Sequence, residues 1–151
     1  MLRKLLLFAI GAFVWLSCIS MRSRAPLEKT YSINVTIYNI RNKSGRIQLH
    51  IYKDQQSYTA QKGWKGVLLY KQDMSNNTLH YRFVGIPSGT YGLALLDDEN
   101  KNTVMDYGWV MPKEGFGFGD YYHTKWSTPH FDDFKFHLTA DKSVKMKVRY
   151  M

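Results

Sequence analysis

The sequence has a single cysteine, Cys18, in 151 residues. Neither an intramolecular disulfide nor a cysteine-built zinc cluster can therefore form. The G-x-S-x-G elbow of serine hydrolases and the H-E-x-x-H helix of zinc proteases are both missing, and the body of the chain offers no cysteine nucleophile. The main apolar run, Leu5 to Leu16, is shorter than the roughly 20 residues needed to span a bilayer. There is no internal repeat, no low-complexity tract and no long amphipathic helix. Acidic residues are also scarce, 12 against 21 Lys and Arg, for a net charge of +9. Hydrophobic residues, in contrast, make up 44% and aromatics 15%, enough for one compact core and too many for wholesale disorder.

The first 20 residues have the layout of an export leader. Arg3 and Lys4 precede the apolar run, and Ser17-Cys18-Ile19-Ser20 supplies small residues for processing. Two readings stay open. Cys18 is the candidate for lipidation, as in bacterial lipoproteins, although Trp15 stands where such sites prefer an aliphatic residue. Ordinary cleavage after Ser20 is the alternative. Either way the protein is expected outside the cytoplasm, in the periplasm or as an outer-membrane or cell-surface lipoprotein, meeting a membrane only through that anchor. Residues 21–30 read as a tether. Basic, aromatic-rich chains are common among nucleic-acid binders, but export and the lack of a recognition motif exclude nucleic acid as the expected partner.

From Tyr31 the chain alternates. Tyr31, Ile33, Val35 and Ile37 face one way, with Ser32, Asn34 and Thr36 opposite, as on a half-buried strand. Arg41 to Gly45 supplies turn residues, and Ile47, Leu49 and Ile51 continue the alternation as a hairpin partner. Asp54 to Gly63 has room for one helical turn. Val67 to Tyr70, Leu79 to Phe83, Thr90 to Leu95, Phe134 to Leu138 and Val144 to Tyr150 complete about seven strands. The expected fold is all-β, an antiparallel seven-stranded sandwich over 31–151. The turn Ile86-Pro87-Ser88-Gly89-Thr90-Tyr91 resembles the strand entry of transthyretin-like and carboxypeptidase-regulatory-like sandwiches, with Tyr91 placed to bond back to the turn.

Charge divides this domain. Residues 97–133 carry eight carboxylates against three lysines, a net −5, with eight aromatics and four glycines. Without the leader, the rest of the chain has 16 basic and four acidic residues, a net +12. Segment 97–133 reads as one long loop, ordered because its aromatics must be buried. Within it Asp98, Asn100, Asn102 and Asp106 place oxygen side chains at alternate positions, with the Val104 carbonyl between, a spacing that suits Ca²⁺. Further ligands would come from Glu114, Asp120, Asp132 or Asp133. Thr103 and Trp109 stand where the helix-loop-helix calcium motif has Gly and Glu. The bland alternative is a set of Asx turns.

Three motifs occur in order: Asp98-Glu99-Asn100-x-Asn102 ending at Asp106, Pro112-Lys113-Glu114-Gly115-Phe116-Gly117-Phe118, and Pro129-x-Phe131-Asp132-Asp133. Over Ile33 to Tyr150 the chain resembles the exported bacterial family called domain of unknown function 2141. That resemblance implies a sandwich and export but states no activity. The chain departs from the family pattern at Asp97, where His is usual, and at Lys101 and Thr103, where two glycines are usual. The functional expectation is an exported, non-catalytic module of the cell envelope, stabilised by Ca²⁺ at the acidic loop. Alternatives are binding of an envelope glycan or an anionic lipid surface by the basic strands, with Lys135, Lys145, Lys147 and Arg149 foremost, or a carboxylate-dependent hydrolase.

Overall fold

A computed structural model describes residues 28–108 and 111–151. The leader, Cys18 and most of the tether lie outside the described residues, as does Trp109. Among the described residues eight strands are formed: β1 (Thr30–Tyr38), β2 (Arg46–Tyr52), β3 (Lys65–Tyr70), β4 (Leu79–Pro87), β5 (Gly89–Asp98), β6 (Gly115–Phe118), β7 (Lys135–Leu138) and β8 (Lys142–Lys147). Two short helices, α1 (Gln55–Thr59) and α2 (Phe131–Phe134), and one 3₁₀ turn, Lys71–Asp73, complete the elements. None of the described helices is long and apolar enough to cross a membrane.

The strands form two sheets, one ordered β4-β1-β8 and the other β3-β2-β5-β6, with β7 also pairing β5. The inward residues of both sheets share one core, including Ile33, Val35, Ile37, Ile47, Leu49, Ile51, Leu93, Val144 and Met146. This is the apolar half of each alternation, buried as the two-residue period requires. Local chemistry sets the joins. Asn76 and Asn77 both take positive φ, 47° and 57°, between the bridged residues Ser75 and Thr78, because asparagine tolerates the left-handed region of a tight turn. Tyr91 Oη donates to the Pro87 carbonyl at 3.0 Å, the back-bond expected of a tyrosine at this turn.

Four expectations need correction. β1 and β2 do not pair as a hairpin: β1 lies between β4 and β8 while β2 lies between β3 and β5, so the turn through Arg41 to Gly45 carries the chain from one sheet to the other. Strands number eight rather than seven, because Gly115–Phe118 lies inside the stretch read as one loop and pairs with β5. The arrangement is not purely antiparallel, since β8 runs parallel to β1 from Ile33↔Lys142 to Tyr38↔Lys147. After β7 the chain crosses from one sheet to the other within 139–141, so β8 enters beside β1 in the same direction. Finally, Phe134 ends a helix instead of starting a strand. The His130 N–H donates to Asp133 Oδ2 at 2.9 Å, and the Asp133 amide donates back to the His130 carbonyl at 3.0 Å, which starts the helix.

Past β8 the chain ties the sheets together. The Val148 amide donates to the Tyr38 carbonyl at 3.0 Å, and Arg149 pairs with Phe116 through amide bonds of 3.0 and 2.8 Å. A Cβ on Gly115 would lie 2.4 Å from Tyr150 Cε1, so glycine there is what lets this closing segment lie against β6. Arg149 donates from Nη1 to the carbonyls of His123 and Lys125 at 2.6 and 3.0 Å. It therefore leaves the basic stripe and fastens segment 121–128, with Lys145 and Lys147 remaining on β8.

Candidate functional site

The outward face of the five-stranded sheet carries Gln48, His50 and Tyr52 from β2, Ala94 and Leu96 from β5, and Phe116 and Phe118 from β6. The helices α1 and α2 settle on one end of this face and build a second apolar cluster, in which Tyr52, Phe118, Phe131 and Phe134 are buried and Tyr58, Phe116 and Tyr121 pack alongside. Aromatic pairs are mostly edge-on here, with Tyr58 to Phe134 at 5.1 Å and 72°, the orientation favoured by ring quadrupoles. Asp54 caps α1 by accepting from the Ser57 amide at 2.7 Å, and Gln55 Oε1 accepts from the Phe131 amide at 2.7 Å. The two helices are thus locked to each other across 76 residues of sequence.

Beside this cluster lies a cleft of about 580 Å³. Its floor is Gln48, His50 and Leu96. Gln55, Tyr58 and Gln61 form one wall, with Thr103, Met105, Tyr107 and Phe116 in another and Trp126 to His130 at the rim. Among the described residues Lys125 is the sole Lys, Arg, Asp or Glu side chain in its lining, which sets the cleft apart in a chain that is 22% charged. Tyr107 and Trp126 are 65% and 73% exposed at its edge, although aromatic side chains usually bury most of their area. His123 is buried beneath, with Tyr121 Oη 3.3 Å from Nδ1 and the Ser127 carbonyl against Nε2. Burial also holds the His50 pKa below its ordinary value, which keeps a neutral imidazole on the cleft floor.

The acidic residues singled out by spacing gather only in part. Asp98, Asn100, Asn102 and Asp106 share one tight loop. Asn100 and Asn102 donate their side-chain amides to Asp106, and their Oδ1 atoms accept from the amides of Asn102 and Val104 at 3.0 and 2.9 Å. These last two bonds are Asx turns. Asp98 Oδ2 accepts from Arg46 Nε at 3.0 Å, Gln48 Nε2 at 2.9 Å and the Thr103 amide at 3.2 Å. Its other oxygen, Oδ1, is buried with no hydrogen-bond partner among the described residues. Glu114 joins this loop, accepting from the amides of Glu99 at 3.0 Å and Asp106 at 3.2 Å. Burial and then the neighbouring carboxylates push its pKa up, against those two amide bonds.

Asp120, Asp132 and Asp133 serve elsewhere. Asp120 accepts from the Lys145 amide at 2.8 Å and pairs with Lys142 at 3.2 Å, Asp132 pairs with Lys135 at 2.8 Å, and Asp133 caps α2. Among the described residues no group of three or more His, Cys, Asp or Glu side chains is placed to hold a metal ion. Glu114, Asp120 and the neighbouring pair Asp132 and Asp133 are therefore spread over the acidic loop, the turn after β6 and α2, each with its own structural donors. The cleft residues of β2 and α1 carry no motif. Gln48 and His50 announce only an outward strand face, and nothing in the sequence brings Gln55 to Pro129.

Fold and cleft together define an all-β domain of two sheets with a charge-poor, aromatic-edged cleft on one outer face. Residues 35–147 match the family described as "Uncharacterized protein conserved in bacteria (DUF2141)", and the chain belongs to that family. No curated protein and no solved structure matches it.

Proposed function

We propose that this protein is an exported, non-catalytic binding module of the bacterial cell envelope, and that its cleft takes a neutral segment of glycan. The observation that carries this reading is the lining of the cleft. It combines exposed aromatic rings at Tyr107 and Trp126 with amide and imidazole groups at Gln48, His50, Gln55 and Gln61, and among the described residues it has no Asp or Glu side chain. A sugar ring presents apolar C–H faces and a rim of hydroxyls. Flat aromatic rings cover the first, and neutral donors and acceptors meet the second without stripping water from a charge. The volume falls within the range of small-ligand sites. Export rests on the leader at Met1 to Ser20, and the strand-entry turn with its Tyr91 back-bond supports a transthyretin-like relationship of the fold.

The test is calorimetric titration with neutral envelope oligosaccharides, beside sulfated ones as a charge control. Saturable binding of the neutral set that is insensitive to salt is expected. Absence of binding at millimolar ligand, or binding of the sulfated set alone that fades as salt rises, would replace this reading with charge attraction to the basic strands.

A second reading, Ca²⁺ at the acidic loop, draws on the unpartnered Oδ1 of Asp98 beside Asn100, Asn102 and Asp106. Opposing it, Arg46 already neutralises Asp98, and the two asparagine amides direct donors at Asp106.

A further inference from the structure

We propose that Lys71 and Asp97 condense in the folded protein to form an intramolecular isopeptide bond, a modification on the opposite side of the five-stranded sheet from the cleft and independent of what the cleft binds. Lys71 opens the 3₁₀ turn after β3, and Asp97 is the penultimate residue of β5. Their side chains pair as Nζ with Oδ1, and both are 0% exposed. Among the described residues this is the one ion pair with neither partner open to water. Asn42 Oδ1 lies 3.4 Å from the same Nζ, and Tyr150 Oη donates to Asp97 Oδ2 at 2.6 Å.

Two opposite charges removed from water lose hydration that their attraction offsets only in part. Moving one proton from the ammonium to the carboxylate gives an amine and a carboxylic acid with the same net charge and no ions. The amine lone pair is then held beside the carboxyl carbon by the fold itself, and such fixed placement replaces the entropy of a bimolecular encounter. As Nζ bonds to Cγ, negative charge develops on Oδ2, where the Tyr150 hydroxyl already donates. The Cγ–Oδ1 bond breaks, an Nζ proton passes to Oδ1, and one water leaves. Amine plus acid becomes amide plus water, with no oxidant or reductant. The product also suits its site. Its carbonyl keeps the Tyr150 hydroxyl, and its N–H faces Asn42 Oδ1, so a buried ion pair gives way to a neutral amide with both polar groups met.

The experiment is mass spectrometry of the full chain purified from its exported form and unfolded in guanidinium, with the mature N-terminus determined on the same sample. The expected intact mass is lower by one water than the sequence requires. A tryptic digest should contain one branched peptide joining the segments around Lys71 and Asp97, with no cleavage after Lys71. The Lys71→Arg variant keeps the positive charge and cannot condense in this way, so it should have full mass and no branched peptide while circular dichroism shows a folded β protein. Wild-type protein of full mass, or one cleaved by trypsin after Lys71, would overturn the proposal and leave a buried ion pair. A mass deficit without the branched peptide would overturn it equally.

Discussion

The amide of Thr103 donates to Asp98 Oδ2 at 3.2 Å from a backbone turned to φ +73°. Lys101, two residues earlier, sits at φ +65°. These are the two positions where the family resemblance implies glycine, and both residues hold the left-handed conformation that glycine adopts without steric cost. A β-branched residue with positive φ is strained by its Cβ. Thr103→Gly is expected to stabilise the protein by about 1 kcal/mol, the relief of strain exceeding the added freedom of the unfolded chain. Lys101→Gly should act in the same direction and by less. Urea melts of the two variants check this, and a loss of stability in Thr103→Gly would mean that the threonine makes contacts worth more than its strain.

Much of the fold can be read from alternation alone, and the reasons it is incomplete are physical. The period of two in β1, β2, β4 and β5 says which face is buried, and those faces meet in the core. It does not say which strand lies next to which, so the parallel pairing of β8 with β1 cannot be deduced from it. Strand β6 alternates Gly with Phe, but its glycines stand where an apolar face would announce a strand, and they do so because Tyr150 and Val148 lie against Gly115. The acidic loop was legible as a loop with Asx turns. Its neutralisation by Arg41 and Arg46, more than 50 residues away, was not. Nor was the cleft, whose walls are distant in sequence and carry no charge pattern.

Gly92 on β5 faces the aromatic cluster. A Cβ there would lie 2.6 Å from Phe134 Cε2 and 2.8 Å from Phe131 Cε2. Both rings are buried and belong to the short helix α2. Gly92→Ala should therefore lift α2 from the sheet at a cost of about 1–3 kcal/mol, the range for overpacking. A chemical melt gives the magnitude, and near-ultraviolet circular dichroism should show loss of aromatic order. An unchanged melt would mean that α2 shifts without cost and contributes little to the second cluster.

Arg41 grips Glu99 with two bonds, Nε to Oε1 at 2.7 Å and Nη2 to Oε2 at 2.8 Å. The guanidinium holds the Glu99 carboxyl below its ordinary value near 4.5, and Asn42 assists. The folded state thus binds a proton at Glu99 less readily than the unfolded state. Its contribution is complete above the ordinary glutamate value and is lost as pH falls through the lower, folded one. Burial pushes Glu114 the other way, so what it contributes fades as pH rises through its folded value. Comparing Glu99→Gln with wild type isolates the first effect. The variant should be less stable by about 0.5–1 kcal/mol at neutral pH, the scale of a well-formed exposed pair, and the gap should close below the ordinary value. A gap that stays constant through the acid range would assign the loss to packing instead of charge.

Calcium at the acidic loop has its own readout. If Ca²⁺ binds through Asp98, Asn100, Asn102 and Asp106, protein treated with EDTA should gain melting temperature on adding Ca²⁺, by linkage, with about 2.7 kcal/mol at a hundredfold excess over Kd. Asp98→Asn should abolish that gain, because it removes the buried carboxylate charge. No shift up to millimolar Ca²⁺ would leave the Asx turns and Arg46 as the whole account of the loop.

Trp126 and Tyr107 separate binding from folding. Both are largely exposed at the cleft edge, so truncating them removes little packing, and Trp126→Ala or Tyr107→Ala should change stability by no more than about 0.5 kcal/mol. Each ring nevertheless offers a flat apolar surface for a sugar face, and losing an aromatic contact of this kind costs about 0.5–1.5 kcal/mol. Affinity for a neutral oligosaccharide should therefore fall about 3- to 10-fold per substitution while the melt is unchanged. Gln55→Ala bears on both properties, because Gln55 lines the cleft and also bonds the Phe131 amide. If Trp126→Ala destabilises the fold as much as Gln55→Ala does, the exposed ring is a structural lid on the aromatic cluster. If it weakens binding alone, the edge of the cleft is a binding surface.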